Sequence, residues 1–425
     1  MNKMLIKDYL IEYQRKSLPS LIERELRLTE TKRRIISIIG PRRAGKTYYL
    51  YQMIKRNKEK SLYLNFEDTR LFDIDFREIR EIIRIYNEMA KKEPECLFFD
   101  EIQNIKGWEY ALREILDMNK YKIFITGSSS KLLSKEIATS LRGRTLTYTL
   151  LPFSFTEFCR ARKISFDIPS KDEEVNIKRV LREYLEFGGF PEVILEEEKE
   201  RILKEFSELI LFKDIVERHN LKNINLAKFL LAHFIQNFSQ EISVNKILNF
   251  FKSQGKKFGK NTLYDYIDKI QDSMAIFFVS RYSEKVYTRA SWPKKIYLCD
   301  SGISKVAKFS QDWGKLMENV VFLELLRKTN KLPLMEIYYF KTENGREVDF
   351  VVKEGIKIKE LIQVSYDTDK PETKQRALKS LIKASDYLQC KDLSLINWDY
   401  EEEETFGEKK IKFIPLWKWL LRSSV

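Results

Sequence analysis

The sequence predicts an α/β fold, a largely parallel sheet with helices on both faces, on three observations. The apolar run IISII enters the glycine-rich stretch GPRRAGKT, residues 40–47, and leaves it as YYLYQMIKRNK, which holds no Pro or Gly. Further apolar runs follow: LYLNFED, LFFDE, KIFITGS and TLTYTLLPF. Between them lie helical segments such as DFREIREIIRIYNEMAKK, and strands alternating with helices in this way build parallel sheets.

The glycine-rich stretch fits GxxxxGK[ST], the pattern of a P-loop. Such a loop must leave a strand and open a helix, so that its amides converge on phosphate oxygens at the helix's positive end. Both flanks comply. The nucleotide-contacting stretch is then Gly40, Pro41, Arg42, Arg43, Ala44, Gly45, Lys46, Thr47 and Tyr48. Gly40 and Gly45 let the backbone wrap phosphates closely. Lys46 sets its ammonium against the outer phosphates, and the Thr47 hydroxyl binds Mg2+.

A metal anchor is needed at the tip of a neighbouring strand, and Cys96-Leu97-Phe98-Phe99-Asp100-Glu101 ends in two carboxylates. Asp100 would hold Mg2+ through water, and Glu101 would polarise an attacking water. The plainer alternative is a strand followed by a solvated acidic turn. After the strand KIFITG, Ser128 or Ser129 offers a hydroxyl to that water or to the γ-phosphate, although serine is also ordinary turn chemistry. The stretch LRGR supplies Arg142 and Arg144, either a finger toward a neighbouring subunit's nucleotide or a surface partner for acids.

Composition adds bounds. Of 425 residues, 43% are hydrophobic, enough for large cores and too many for a disordered chain. No apolar run reaches the length of a membrane span, and the charged N-terminus lacks a signal peptide's apolar stretch, so a cytoplasmic protein is expected. The four cysteines are scattered and only two histidines occur, which argues against a disulfide framework and against zinc. The net charge of +14 suits an anionic partner such as DNA, and equally a charge-dense surface of thermophilic type.

In order, GPRRAGKT, LFFDEIQNIKGWE, ITGSSSKLLS, LRGR, LPFSFTEF and YLEFGGFPEVI resemble the archaeal and bacterial AAA+-like ATPases that carry a nuclease-like C-terminal domain. The resemblance covers nearly the whole chain, most specifically its first half. It implies a AAA+ core, ATP as the nucleotide, and Asp100 with Glu101 as the Walker B pair. No second sensor arginine can be assigned.

Four regions are expected: an ATPase core at 1–155, a helical lid at 156–220, a winged helix at 221–295 and a restriction-endonuclease-like domain at 296–425. The lid region reads helical, broken at Gly188-Gly189-Phe190-Pro191. Next come SVNKILNFFKSQ, capped by Ser243, and NTLYDYIDKIQD, capped by Asn261 or Thr262, then strands from Met274 and Ile296, the outline of a winged helix. Lys256, Lys257, Lys260, Asn261 and Tyr264, with wing residues Arg281, Lys285, Arg289, Lys294 and Lys295, suit phosphate contact; alternatively they are solvated and the module only packs domains together.

The last region resembles the restriction-endonuclease-like fold, through a helix acid (Glu318 or Glu324), a strand acid (Asp349) and the strand after it. The resemblance implies a Glu-x-Lys that holds Mg2+ and stabilises developing charge, yet here those positions read Gln363-Val364-Ser365. Lys357, Lys359 or Lys374 would have to replace the missing cation, so a degenerate fold is expected. Three functions compete: an ATP-driven machine acting on DNA, an ATP-controlled signalling or defence switch that recognises protein and assembles as a homo-oligomer, and, against the residues present, an ATP-regulated nuclease.

Overall fold

The computed structural model describes residues 2–128, 141, 143–164, 171–307, 312–342, 344–367 and 370–423. The chain divides into two compact units, Met1–Leu150 and Leu151–Val425.

In the first unit, Asn2 caps helix α1 (Lys3–Arg15) by accepting from the Met4 and Leu5 amides. The wholly buried run IISII forms β1 (Ile35–Ile39), and α2 (Lys46–Ile54) opens after Gly45, whose φ of 93° lies in the left-handed region. There follow β2 (Ser61–Asn65), α3 (Ile79–Ala90), β3 (Cys96–Asp100), α4 (Trp108–Asp117), β4 (Lys122–Gly127) and β5 (Thr145–Thr149). The strands lie in the order β2-β3-β4-β1-β5 and every pairing is parallel, as the alternation predicts. Ile36, Ile38, Leu50, Ile54, Phe98 and Phe124 fill one face. Gly40 has a second reason to be glycine: a Cβ there would stand 2.0 Å from the Leu150 carbonyl oxygen.

The second unit begins helically with α5 (Phe155–Ala161), α6 (Lys171–Phe187), α7 (Pro191–Leu195) and α8 (Lys199–Leu209), the last running on as a π-helix, Ile210–Glu217. Ser154 and Glu157 form a capping box at the start of α5. The break at Gly188-Gly189 is a packing device. A Cβ on Gly189 would sit 2.3 Å from the Phe153 oxygen, and the Gly189 N–H donates to Asp300 at 2.6 Å. Asp300 also accepts from the Gly302 N–H at 2.9 Å, and burial pushes its carboxyl up to about 7. LPFSF, FGGFP and CDSG therefore meet in one buried knot.

Next come α9 (Ile224–Gln236), β6 (Glu241–Ile242), α10 (Val244–Ser253), α11 (Lys260–Asp272), β7 (Ile276–Ser280), α12 (Val286–Ser291) and β8 (Lys294–Leu298), with an antiparallel sheet ordered β6-β8-β7. Ser243 precedes α10 without a side-chain cap bond. Extended Gly259 takes the N-cap position of α11, so Asn261 and Thr262 fall inside its first turn. The strand read as starting at Ile296 starts at Lys294, so an edge drawn between 295 and 296 cuts β8.

The remainder is α13 (Trp313–Lys328), β9 (Met335–Lys341), β10 (Glu347–Glu354), β11 (Lys357–Val364), α14 (Pro371–Leu388), β12 (Leu393–Asn397), β13 (Glu402–Phe406), β14 (Lys409–Pro415) and α15 (Leu416–Ser423). These strands form a mixed sheet ordered β13-β14-β12-β11-β10-β9. The largely exposed acidic run at 401–404 enters edge strand β13, where Glu403 faces Lys412 of β14 in register.

Gly189→Ala is expected to destabilise the second unit by about 1–3 kcal/mol, the cost of overpacking a rigid backbone contact. Urea unfolding followed by tryptophan fluorescence checks this, since Trp292, Trp313, Trp398, Trp417 and Trp419 all report on that unit.

Candidate functional site

The carboxyl ends of β1, β3 and β4 share one edge of the parallel sheet, set by the registers Ile39↔Gly127 and Phe99↔Ile125. There the loop from Gly40 to Thr47 faces Asp100 and Glu101. Asp100 is fully buried and collects three hydroxyl donors. Thr47 donates to its Oδ2 at 2.7 Å, Tyr63 to the same oxygen at 2.8 Å, and Thr126 to Oδ1. Burial raises the Asp100 carboxyl above its ordinary range, and the charge of Glu101 adds to that; the three donors act in the opposite direction.

Glu101 has a left-handed backbone (φ 51°), fixed by its N–H donating to Thr126 Oγ1 at 2.9 Å. Its side chain accepts from the Gln103 amide and lies 3.6 Å from the Lys46 ammonium. The buried Lys46 Nζ also donates to the Gly40 and Pro41 carbonyls, each at 3.2 Å. Arg43 carries a positive φ of 67°, and the Arg24 guanidinium braces the loop through the Ala44 carbonyl at 2.8 Å.

The donor set fits a magnesium-bound triphosphate. A hydroxyl and a carboxylate, both hard oxygens, already touch each other, a lysine stands beside them, and the first amides of α2 have no carbonyl within the helix to receive them. Arg42 reaches Glu67 at 3.3 Å, Pro41 and Ala44 are buried, and Tyr48 is exposed. Ser128 is buried immediately past β4, abreast of the loop. Arg144 precedes β5, at the opposite edge of the sheet, and pairs with Asp117, the surface-acid alternative. Arg142 and Ser129 lie outside the described residues.

Sequence reading misses Tyr63, Thr126, Gln103 and Arg24. Thr126 alone had a signal, its place one residue before the end of the strand KIFITG.

A second constellation lies in the other unit. Lys295, read as a wing cation, is buried, because β8 turns Lys294 to solvent and Lys295 inward. Its ammonium lies 2.8 Å from Glu318, 2.6 Å from Glu347 and 3.1 Å from Asp349. Tyr297 donates to Glu318 at 2.7 Å; Gln363 Nε2 and the Val364 N–H donate to Asp349 Oδ2 at 2.6 and 2.9 Å. Burial pushes the Glu318 carboxyl up to about 8. Glu324 is directed elsewhere, to Arg327 at 3.3 Å. Lys359 and Lys374 pair with Glu354 and Glu404, and Lys357 is exposed.

Of the other expected DNA contacts, Lys256, Lys257, Lys260, Asn261, Tyr264, Lys285 and Lys294 are exposed. Arg281 instead stacks on Trp292 at 3.9 Å, and Arg289 donates to the Ser283 carbonyl at 2.5 Å.

Known proteins give the lineage. Residues 32–159 match the family described as AAA domain, 178–312 the domain of unknown function DUF8612, and 313–419 the domain of unknown function DUF4143. The uncharacterized protein MJ1544 of Methanocaldococcus jannaschii is 38% identical over 414 residues, 94% of this chain and 91% of that protein. The chain belongs to the family of MJ1544. An uncharacterized protein of Haemophilus influenzae is 26% identical over 398 residues, 91% of this chain and 94% of its own length. The crystal structure of Cdc6p from Pyrobaculum aerophilum aligns over 68% of this chain and 88% of its own, at 10% identity and a TM-score of 0.27, too low to carry an argument. The chain thus has an AAA-type P-loop core. Among the described residues, no helix is long and apolar enough to cross a membrane.

Tyr63→Phe keeps the ring that stacks on Tyr13 at 5.1 Å and removes one donor from a buried carboxylate. It is expected to cost about 1–3 kcal/mol of stability, read by chemical denaturation. A cost of only a few tenths would show that this bond carries no weight.

Proposed function

We propose that this protein is a Mg2+-dependent ATPase whose nucleotide state governs how its second unit engages DNA. The observation that carries the reading is the Thr47–Asp100 contact at 2.7 Å, with Lys46 and Glu101 paired beside it. Thr47 and Asp100 would hold the metal, which when bound neutralises charge on the phosphates and the leaving oxygen.

The protein's own residues do the rest. Lys46 is held on the Gly40 and Pro41 carbonyls, ready to shift onto phosphate oxygens. Gln103 and the left-handed backbone orient Glu101, whose carboxylate takes a proton from water. Ser128 supplies a hydroxyl at the end of β4. Arg144 sits at the far edge of its own sheet, so any service as a finger would be to a neighbouring subunit.

The DNA part rests on the α9-β6-α10-α11-β7-α12-β8 order, which we read as a winged helix with a short helix inserted between its last two strands, and on exposed Lys256, Lys257, Lys260 and Lys294. We read 156–220 as the lid that follows the core, and the six-stranded sheet with α13 and α14 as a restriction-endonuclease-like domain.

Glu101→Gln is expected to bind ATP with unchanged affinity and to hydrolyse it about 100-fold or more slowly, as for loss of a general base. Normal turnover in that variant refutes the assignment. Duplex or single-stranded DNA is expected to stimulate turnover. Replacing Lys256, Lys257 and Lys260 together by Ala is expected to lower the salt dependence of binding by about 0.9 for each phosphate that these lysines neutralise. A turnover indifferent to nucleic acid at low salt removes the DNA part and leaves the ATPase standing.

A further inference from the structure

The restriction-endonuclease-like reading implies a divalent metal at Glu318, Asp349 and the strand that follows. The residues present do not fit one. We infer that Lys295 stands in for that metal: an ammonium carried on β8 of the three-stranded sheet fills the acids of the six-stranded domain, which works as a metal-independent module.

Three observations converge on this. First, the ammonium donates to Glu318 and Asp349 at 2.8 and 3.1 Å and lies 2.6 Å from the Glu347 carboxylate, so three acids already surround one cation. A magnesium ion on those same oxygens, at its usual ~2.1 Å, would be forced against a like charge. Second, two of these acids carry further donors. Asp349 Oδ2 receives the Gln363 amide and the Val364 N–H, and Glu318 Oε1 also receives the Tyr297 hydroxyl. Third, Gln363 occupies the position where a ligand carboxylate belongs, yet it turns its NH2 toward the acid. Its Oε1 is buried without a hydrogen-bond partner among the described residues, so it presents a donor where a metal needs an acceptor.

The source of the cation gives it a second consequence. Lys295 comes from outside the sheet that carries Glu347 and Asp349, so the charge cluster joins β8 to β10 and α13. Withdrawing the lysine would leave buried acids uncompensated, a costly state. The three-stranded and six-stranded sheets are therefore coupled through it. This inference rests on the acids and the lysine and is independent of the nucleotide reading.

Mn2+ uptake by the full chain, measured calorimetrically without nucleotide, tests it. Wild type and Asp349→Asn are expected to take up equal Mn2+, because Asp349 is already satisfied. Lys295→Met is expected to gain a Mn2+ site that the added Asp349→Asn change removes. Mn2+ uptake by wild type that Asp349→Asn abolishes would overturn the inference, and so would a folded Lys295→Met chain that gains no site. Where Lys295→Met fails to fold, plasmid nicking by wild type in Mn2+ decides. Nicking that Asp349→Asn abolishes makes Lys295 the displaced lysine of a working nuclease and overturns the inference. Absent or equal nicking upholds it.

Discussion

One buried carboxylate ties the first unit's working edge together. Asp100 receives hydroxyls from α2, β2 and β4, three elements far apart in sequence, and so fixes where the P-loop helix stands against two strands. A carboxylate without water around it needs such donors, and burial raises its proton affinity when they fall short. Thr47 and Asp100 are also the groups that would hold a metal, so its binding would bring an exchange among the partners of Asp100. Glu101 is held by different groups, Gln103 and the Lys46 ammonium, which leaves it free of the exchange at its neighbour.

The nucleotide edge was legible because its signals are local. A strand, a glycine-rich turn and a helix follow each other within some twenty residues, and the two acids close a single apolar run. Tyr63 and Thr126 were not legible, since a hydroxyl on a buried strand looks the same whether it meets a carboxylate or a carbonyl. Lys295 misled for a related reason. In the stretch SWPKK two adjacent lysines read as wing cations for phosphate, but strand alternation sends them to opposite faces and only the neighbours from 318 to 349 give the second one a partner.

The second unit is held by polar contacts of unusual burial. Asp300 binds the Gly189 amide at the GGFP break and the Gly302 amide of its own turn, and the Lys295 cluster binds two sheets. Both sit where motifs of the sequence converge, and both are places where a side chain replaces what a turn or an ion would otherwise supply. The stretches LPFSF and FGGFP are thus explained by packing, in contrast to GPRRAGKT, whose residues we read as arranged for a ligand.

The central claim is that Asp100 and Thr47 form a metal anchor beside a nucleotide-binding lysine. ATP affinity measured in Mg2+ and again in EDTA, for wild type and for Asp100→Asn, tests it most directly. Wild type is expected to bind ATP several-fold more tightly in Mg2+, and Asp100→Asn to match wild type in EDTA while gaining nothing from the metal. An Asp100→Asn chain that keeps the full Mg2+ gain, or a wild type without affinity for ATP, would contradict it.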